Sequence, residues 1–250
     1  MPKIWVLRGI KKGIVTSKFP DKNPTLEEQP ARSLPPMATR GSDWAAGEKL
    51  CPTTAIRESD KRIDLGKCVY CQRCAQAGFS FEEGGKGRSG ALQAQLSDSK
   101  VSGFAKRQLA FTKSFHVLMI DVGSCNACNL EVLNLSNPYY DLTRLGIFFT
   151  NSPKHADGLI VVGALNKSMV DVLKRTYESI PEPKFVISAG ACAISGGVFQ
   201  RTESFVSPVQ DAIPVDVVIP GCPPTPIQIL EGLLLVLGKM KKKEEAATPQ

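Results

Sequence analysis

The chain has 250 residues, 42% hydrophobic and 22% charged, with a formal net charge of +7. This composition excludes a mostly disordered or collagen-like chain. No stretch reaches the roughly 18 uninterrupted apolar residues of a membrane span; the nearest, Ile227 to Leu237, is broken by Gln228, Glu231 and Gly232.

In chain order, MPKIWVLRGIKKG places charges where a signal peptide needs an apolar stretch, so the cytosol is the expected compartment. Residues 18–40 contain five prolines and no periodic apolar pattern, which predicts an extended arm on a surface. A compact cysteine-bearing unit follows, and the arm and unit together make a first region over 1–82. Glycines 84, 85, 87 and 90 open a linker expected over 83–112. From 113 to 239 short apolar runs alternate with helical patterns. FHVLMIDV (115–122), LGIFF (145–149), GLIVVGA (158–164), KFVISA (184–189) and VDVVIP (215–220) read as buried strands. A short helix is expected from about Leu130, another near Ser168–Ser179, and a long one near Pro226–Met240. Thr225 suits the start of the last helix, and Lys239, Lys241, Lys242 and Lys243 suit the negative end of its dipole. Residues 240–250 read as a charged tail. Strands alternating with helices predict an α/β fold with a doubly wound, mostly parallel sheet.

Charge is uneven: residues 1–113 hold 20 Lys and Arg against 11 Asp and Glu. The basic residues are scattered, without aromatic interleaving, so they predict a docking surface for acidic partners or an offset to an anionic cofactor rather than nucleic-acid binding. His116 and His155 read as structural. GALNKS (163–168) lacks the glycine that precedes a P-loop lysine, and no GxGxxG follows the first strand.

The eight cysteines fall in two sets. Cys125 and Cys128 follow the first of the five predicted strands, Cys192 follows the fourth and Cys222 the fifth. Loops at the carboxyl ends of parallel strands form the ligand crevice of such a sheet, so three separate loops deliver four thiols to one edge. Gly123, Gly190, Gly221, Gly196 and Gly197 permit close backbone approach there, Pro223 and Pro224 stiffen the last loop, and helix-start N–H groups are expected nearby. Four thiolates without histidine suit a 4Fe–4S cluster or structural zinc. Glu131, three residues after Cys128, is a candidate proton carrier or a solvated helix carboxylate.

The other set is CVYCQRC (68–74), the first three ligands of a bacterial ferredoxin run; the fourth position holds Gly78 instead of cysteine. Upstream, Cys51-Pro52 has the form of a fourth ligand whose own partners, at 41, 44 and 47, are Gly, Trp and Gly. In two-cluster ferredoxins the fourth cysteine of each run serves the other cluster. Cys51, Cys68, Cys71 and Cys74 are therefore expected to form one complete crossed set for a 4Fe–4S cluster, with zinc as the alternative, and the other site has lost all its ligands.

SCNACNLEVL, SPKHADGLIVVGALN, SAGACAISGG and PGCPPTP resemble the small subunit of membrane-bound, energy-converting NiFe hydrogenases of the formate hydrogenlyase and Ech types, and the homologous complex I subunit that carries the last cluster before quinone. The likeness covers about 113–239. It implies a flavodoxin-like fold in which Cys125, Cys128, Cys192 and Cys222 hold a 4Fe–4S cluster beside a large subunit carrying the NiFe or quinone site. GIKKGIVTSKFP and the ferredoxin remnant resemble the separate two-cluster ferredoxin subunit of the same complexes, here fused as a small ferredoxin-like domain with one 4Fe–4S cluster. The resemblance implies two 4Fe–4S clusters in all. Other iron–sulfur and membrane-integral subunits, and a ferredoxin-type redox partner, are its implied neighbours. It places the chain peripherally on the cytoplasmic face of the membrane through those partners. The CNAC spacing resembles the hydrogenase type more than complex I, whose first-site cysteines are adjacent. A complex I-like quinone reductase subunit is the alternative, and a zinc-stabilised scaffold without redox function is the alternative from another class.

Overall fold

The structure is a computed structural model that describes residues 5–13, 15, 38–39, 41–81, 95–96, 107–111, 113–199, 202–206 and 208–239. Most of the predicted proline-rich arm, the glycine-rich part of the linker, and Lys241, Lys242, Lys243 and the rest of the tail lie outside the described residues.

Five parallel strands form the centre: β4 (Phe115–Asp121), β5 (Ile147–Phe149), β6 (Gly158–Val162), β7 (Phe185–Ala189) and β8 (Val217–Ile219). Their spatial order is β8-β7-β6-β4-β5, the 2-1-3-4-5 order of flavodoxin-like sheets. The α/β expectation therefore holds. A sixth strand, β3 (Gln95–Leu96), pairs antiparallel with β8 inside the range read as linker. Glycine content marked that range as unstructured, but the exposed edge of β8 offers unpaired backbone groups that a passing segment can satisfy. Farther along the same range, Arg107 donates at 2.6 Å to the nearly buried Asp216 carboxylate and at 2.6 Å to the Lys184 carbonyl. Asp216 in turn accepts the Val186 N–H at 2.8 Å, so this segment is anchored to the sheet.

Side-chain alternation along the strands builds two cores. Val117, Ile160, Val162, Ile187, Ala189, Val217 and Ile219 face one way and pack with Val132 and with the last helix. Leu159, Val161, Val186 and Val215 face the other, against Leu173 and Ala193. β6 and β7 are buried on both faces, as parallel strands covered by helices must be. β5 corrects one expectation: Phe148 and Phe149 are exposed, because β5 is the edge strand and has a neighbour only in β4.

The helices in chain order are α1 (Trp5–Lys12), α2 (Trp44–Leu50), α3 (Ala127–Asn134), α4 (Val170–Ser179), α5 (Ala191–Ser195) and α6 (Pro226–Val236). α3 begins earlier than expected, so Cys128 lies within its first turn. α6 opens with the full capping box, Thr225 with Gln228, and ends before the predicted Met240. The Lys239 backbone N–H closes the end of α6 on the Leu234 carbonyl at 3.0 Å, while its Nζ reaches away and donates at 2.5 Å to the Leu145 carbonyl. Ten of the eleven residues of α6 are buried, and each fully buried Leu or Ile there contributes roughly 1.5–3 kcal/mol.

The 41–81 unit is built differently. β1 (Ile56–Arg57) and β2 (Arg62–Ile63) form a short antiparallel pair beside α2 and a single-turn helix at Arg73–Ala77. Its buried cluster consists of Ile56, Cys74, Ala77 and Phe79.

Candidate metal centres

Strand register explains the thiol-bearing edge. Asp121 pairs with Val162, Val162 with Ala189, and Ala189 with Ile219, so four strands end level. Cys192 and Cys222 each follow their strand end by three residues. Cys125 and Cys128 start farther away, because β6 stands between β4 and β7. The loop after β4 crosses the end of β6 to reach them: the Ala164 N–H donates to the Gly123 carbonyl at 3.1 Å and the Asn166 N–H to the Val122 carbonyl at 2.9 Å. Cys128 then lies against the β7 loop, where a Cβ added to Gly190 would stand 2.7 Å from its Sγ. A Cβ on Gly197 would stand 3.1 Å from the Cys192 Sγ. Glycine at these two positions leaves the thiols their room.

Asp121 organises the crossing loop. Its carboxylate accepts the N–H groups of Gly123 and Ser124 at 2.9 and 2.8 Å, the Ser124 hydroxyl at 2.8 Å and the Asn129 amide at 2.6 Å. Burial works to raise its pKa, but these donors outweigh burial and hold the carboxyl below its ordinary value. Sequence reading passed over Asp121, although D-x-G-S at a strand end is an Asx-turn signal. The N–H groups of Gly190 and Ala191 at the head of α5 donate to the Ile219 and Gly221 carbonyls. They are therefore engaged in joining the loops after β7 and β8.

The four thiols are electrostatic neighbours. Burial first, then the neighbouring Cys192, Cys222 and Cys125, push the Cys128 thiol up to about 12. Burial, then Cys222 and Cys125, push Cys192 up to about 11. Burial with Cys125 and Cys71 raises Cys222. Glu131 sits half-buried on α3 within electrostatic reach of Cys128 and Tyr140.

In the 41–81 unit, Cys51 terminates α2 and its Sγ accepts the Ala55 N–H at 3.2 Å. The β1–β2 pair turns the chain back, and the Asp64 N–H donates to the Ala55 carbonyl at 2.7 Å. This return brings Cys68 to Cys51. Cys51, Cys68, Cys71 and Cys74 together line one open-mouthed pocket with Ile56, Tyr70 and others, about 320 Å³ including open solvent. Burial dominates in pushing Cys68 up to about 12, against a hydrogen bond from the Tyr70 backbone; burial also raises Cys74. The positions of the lost ligands also come together. A Cβ on Gly47 would strike the Phe79 ring at 2.6 Å, one on Gly78 would stand 3.1 Å from the Gly41 carbonyl, and Trp44 meets Phe79 edge-on at 5.2 Å. Aromatic packing fills that place.

The two thiol sets adjoin. Cys71 is an electrostatic neighbour of Cys222, and the Ser195 hydroxyl on α5 donates to the Gly66 carbonyl at 3.1 Å. Tyr70 has φ +53°, a left-handed conformation uncommon for a bulky residue, and lies near both Cys68 and Cys222. Its hydroxyl is buried with no hydrogen-bond partner. Nothing in the sequence signals this conformation. All eight cysteines are free of disulfides, and among the described residues no three Cys, His, Asp or Glu side chains converge tightly enough for a single metal ion. His116 pairs with Asp157 at 3.2 Å at the surface.

Residues 125–236 match the family described as NADH ubiquinone oxidoreductase, 20 Kd subunit. The chain is 41% identical over 133 residues to a probable membrane-bound hydrogenase subunit of Pyrococcus furiosus, covering 53% of this chain and 80% of that one. It is 40% identical to formate hydrogenlyase subunit 7 of Escherichia coli, over 55% of this chain and 54% of that one. It is 46% identical to a subunit of the NADH-quinone oxidoreductase of Geotalea uraniireducens, over 48% of this chain and 69% of that one. With a flavodoxin-like sheet, four thiols gathered at its edge and relatives this similar over most of their own length, the chain belongs to the NADH ubiquinone oxidoreductase 20 kDa subunit family, a family of oxidoreductase subunits.

Proposed function

We propose that the chain is the electron-transfer subunit of an energy-converting NiFe hydrogenase complex. In this reading Cys51, Cys68, Cys71 and Cys74 hold one 4Fe–4S cluster, and Cys125, Cys128, Cys192 and Cys222 hold a second. Each cluster supplies a one-electron redox centre. The chain's own residues supply thiolates, shield the centres from water and set their spacing. The observation that carries the reading is the adjacency of two thiol sets, joined by the Ser195–Gly66 hydrogen bond at 3.1 Å, with Cys71 within electrostatic reach of Cys222.

The residues fit such groups. Buried thiols that raise one another's pKa resist becoming thiolates together unless a cationic centre compensates them. Four thiolates without histidine suit a 4Fe–4S cluster, with structural zinc as the alternative. The 41–81 unit also has a small core, and chains of about 40 residues usually depend on a metal or other staple to fold.

The Cys-x-x-Cys spacing at 125–128 favours the hydrogenase type, and the Pyrococcus and Escherichia relatives accord with it. Identity to an NADH-quinone oxidoreductase subunit supports a quinone-reducing complex as the second reading. The nickel or quinone chemistry would belong to a large-subunit partner, with Glu131 as a candidate proton carrier at that interface. No helix among the described residues is long and apolar enough to cross a membrane, so attachment to the cytoplasmic face would run through partner subunits. Anaerobic purification with iron, zinc and sulfide analysis tests the core of the proposal: about eight irons per chain are expected. Cys51→Ser should reduce this toward about four and abolish one of two electron paramagnetic resonance signals. A colourless protein with stoichiometric zinc refutes it.

A further inference from the structure

The turn that follows α2 folds back over its own cysteine. Pro52 occupies its second position, where a fixed φ suits a turn, and the Thr54 N–H closes it on the Cys51 carbonyl at 3.4 Å. Thr54 takes φ +52°, and the next residue, Ala55, donates its N–H to the Cys51 Sγ at 3.2 Å. Thr53 is only 1% exposed, and it lines the pocket shared by Cys51, Cys68, Cys71 and Cys74.

The Thr53 hydroxyl lies 3.8 Å from the Cys51 Sγ, within the reach of the larger sulfur atom, and this is its one hydrogen-bond partner among the described residues. A buried hydroxyl normally has a partner, since leaving it unpaired costs stability. Between a thiol and a hydroxyl either atom can donate. A cysteine that ligates a metal centre does so as the thiolate, which has no proton to give, so in a loaded site the hydroxyl is the donor. Hydrogen bonds to cluster sulfurs set reduction potential, because reduction adds negative charge that a donor stabilises.

Resting on the two-cluster reading above, we propose that Thr53 is a potential-setting residue of the N-terminal site: its buried hydroxyl donates a hydrogen bond to the Cys51 sulfur, beside the Ala55 N–H, and raises that cluster's potential. The hydroxyl keeps its proton in both oxidation states; only an electron moves. Cys51 is the ligand supplied from outside the 68–74 run, so the turn that delivers it also tunes it.

The test compares full-length, anaerobically loaded wild type with Thr53→Val and Thr53→Ala, which remove the donor, and with Thr53→Ser, which keeps it. Redox titration monitored by electron paramagnetic resonance reads both clusters. At the wild-type midpoint, the reduced-to-oxidised ratio of the N-terminal cluster should fall about threefold in Thr53→Val and Thr53→Ala, about 28 mV at 59 mV per decade for one electron. Thr53→Ser should keep the wild-type ratio, and the sheet-edge cluster should not move in any variant. Electron–nuclear double resonance should show one exchangeable proton coupled to the N-terminal cluster in the wild type and Thr53→Ser that the other two variants lack. An unmoved N-terminal potential in Thr53→Val or Thr53→Ala, or an equal shift in Thr53→Ser, overturns this assignment alone. So does loss of the N-terminal cluster from both donor-free variants with retention in Thr53→Ser, which would make the hydroxyl structural. A wild-type chain lacking an N-terminal cluster overturns it together with the proposed function.

Discussion

Replacing Gly190 by alanine should damage the sheet-edge site more than its size suggests. Gly190 has φ +92° and ψ 151°, a backbone region that is essentially glycine-only and costs other residues about 1–3 kcal/mol. The new Cβ would also stand 2.7 Å from the Cys128 Sγ, and overpacking of this kind costs about 1–3 kcal/mol. The combined penalty is roughly 2–6 kcal/mol. For a chain of this size it corresponds to a fall of roughly 5–20 °C in Tm. Gly9→Ala is the control: its Cβ would meet nothing within 4 Å, and it lies on the exposed helix α1. Anaerobic thermal denaturation followed by circular dichroism, with iron counts on the same samples, distinguishes them. The collision falls on Cys128, so under the proposed two-cluster function the iron lost from Gly190→Ala should be that of the sheet-edge site, with the N-terminal signal retained. A Gly190→Ala protein that melts with the wild type and keeps both signals would refute the reasoning.

Two further outcomes follow from the network of polar contacts. Asp216→Ala should destabilise the fold by about 3–5 kcal/mol, because it leaves Arg107 without its carboxylate in a largely buried setting; urea denaturation measures this, and a loss below about 1 kcal/mol would contradict the anchoring role. Asp121→Ala should loosen the loop carrying Cys125 and Cys128, at a cost of about 1–2 kcal/mol. The folded Asp121 carboxyl titrates below its ordinary value of 3.8, so its contribution is complete above that value and disappears as pH falls through the lower folded pKa. Stability measured from pH 6 down to 2 should therefore decline less steeply in Asp121→Ala than in the wild type, and parallel curves would exclude the effect.

Sequence alone determined the strand-and-helix alternation, the parallel sheet and the grouping of cysteines into two sets. Those properties reside in local signals: apolar runs of strand length, turn residues at their ends, and cysteine spacings that only a few metal sites share. It also determined the last helix's start, since Thr225 and Gln228 are three residues apart and cap the same turn. What lay beyond it were facts that depend on neighbours distant in the chain. Gln95 and Leu96 carry no strand signal of their own and become β3 because the edge of β8 is available. Phe148 and Phe149 read as core, but edge position leaves them exposed. The path of the Cys125–Cys128 loop over β6 depends on strand order, which local periodicity does not encode. The hydrogen bond from Ser195 on α5 to Gly66 arises only when the 41–81 unit docks there, and the left-handed Tyr70 is tolerated where surrounding packing compels it. Local chemistry thus specified the elements and the thiol sets, and tertiary contacts decided which of them meet.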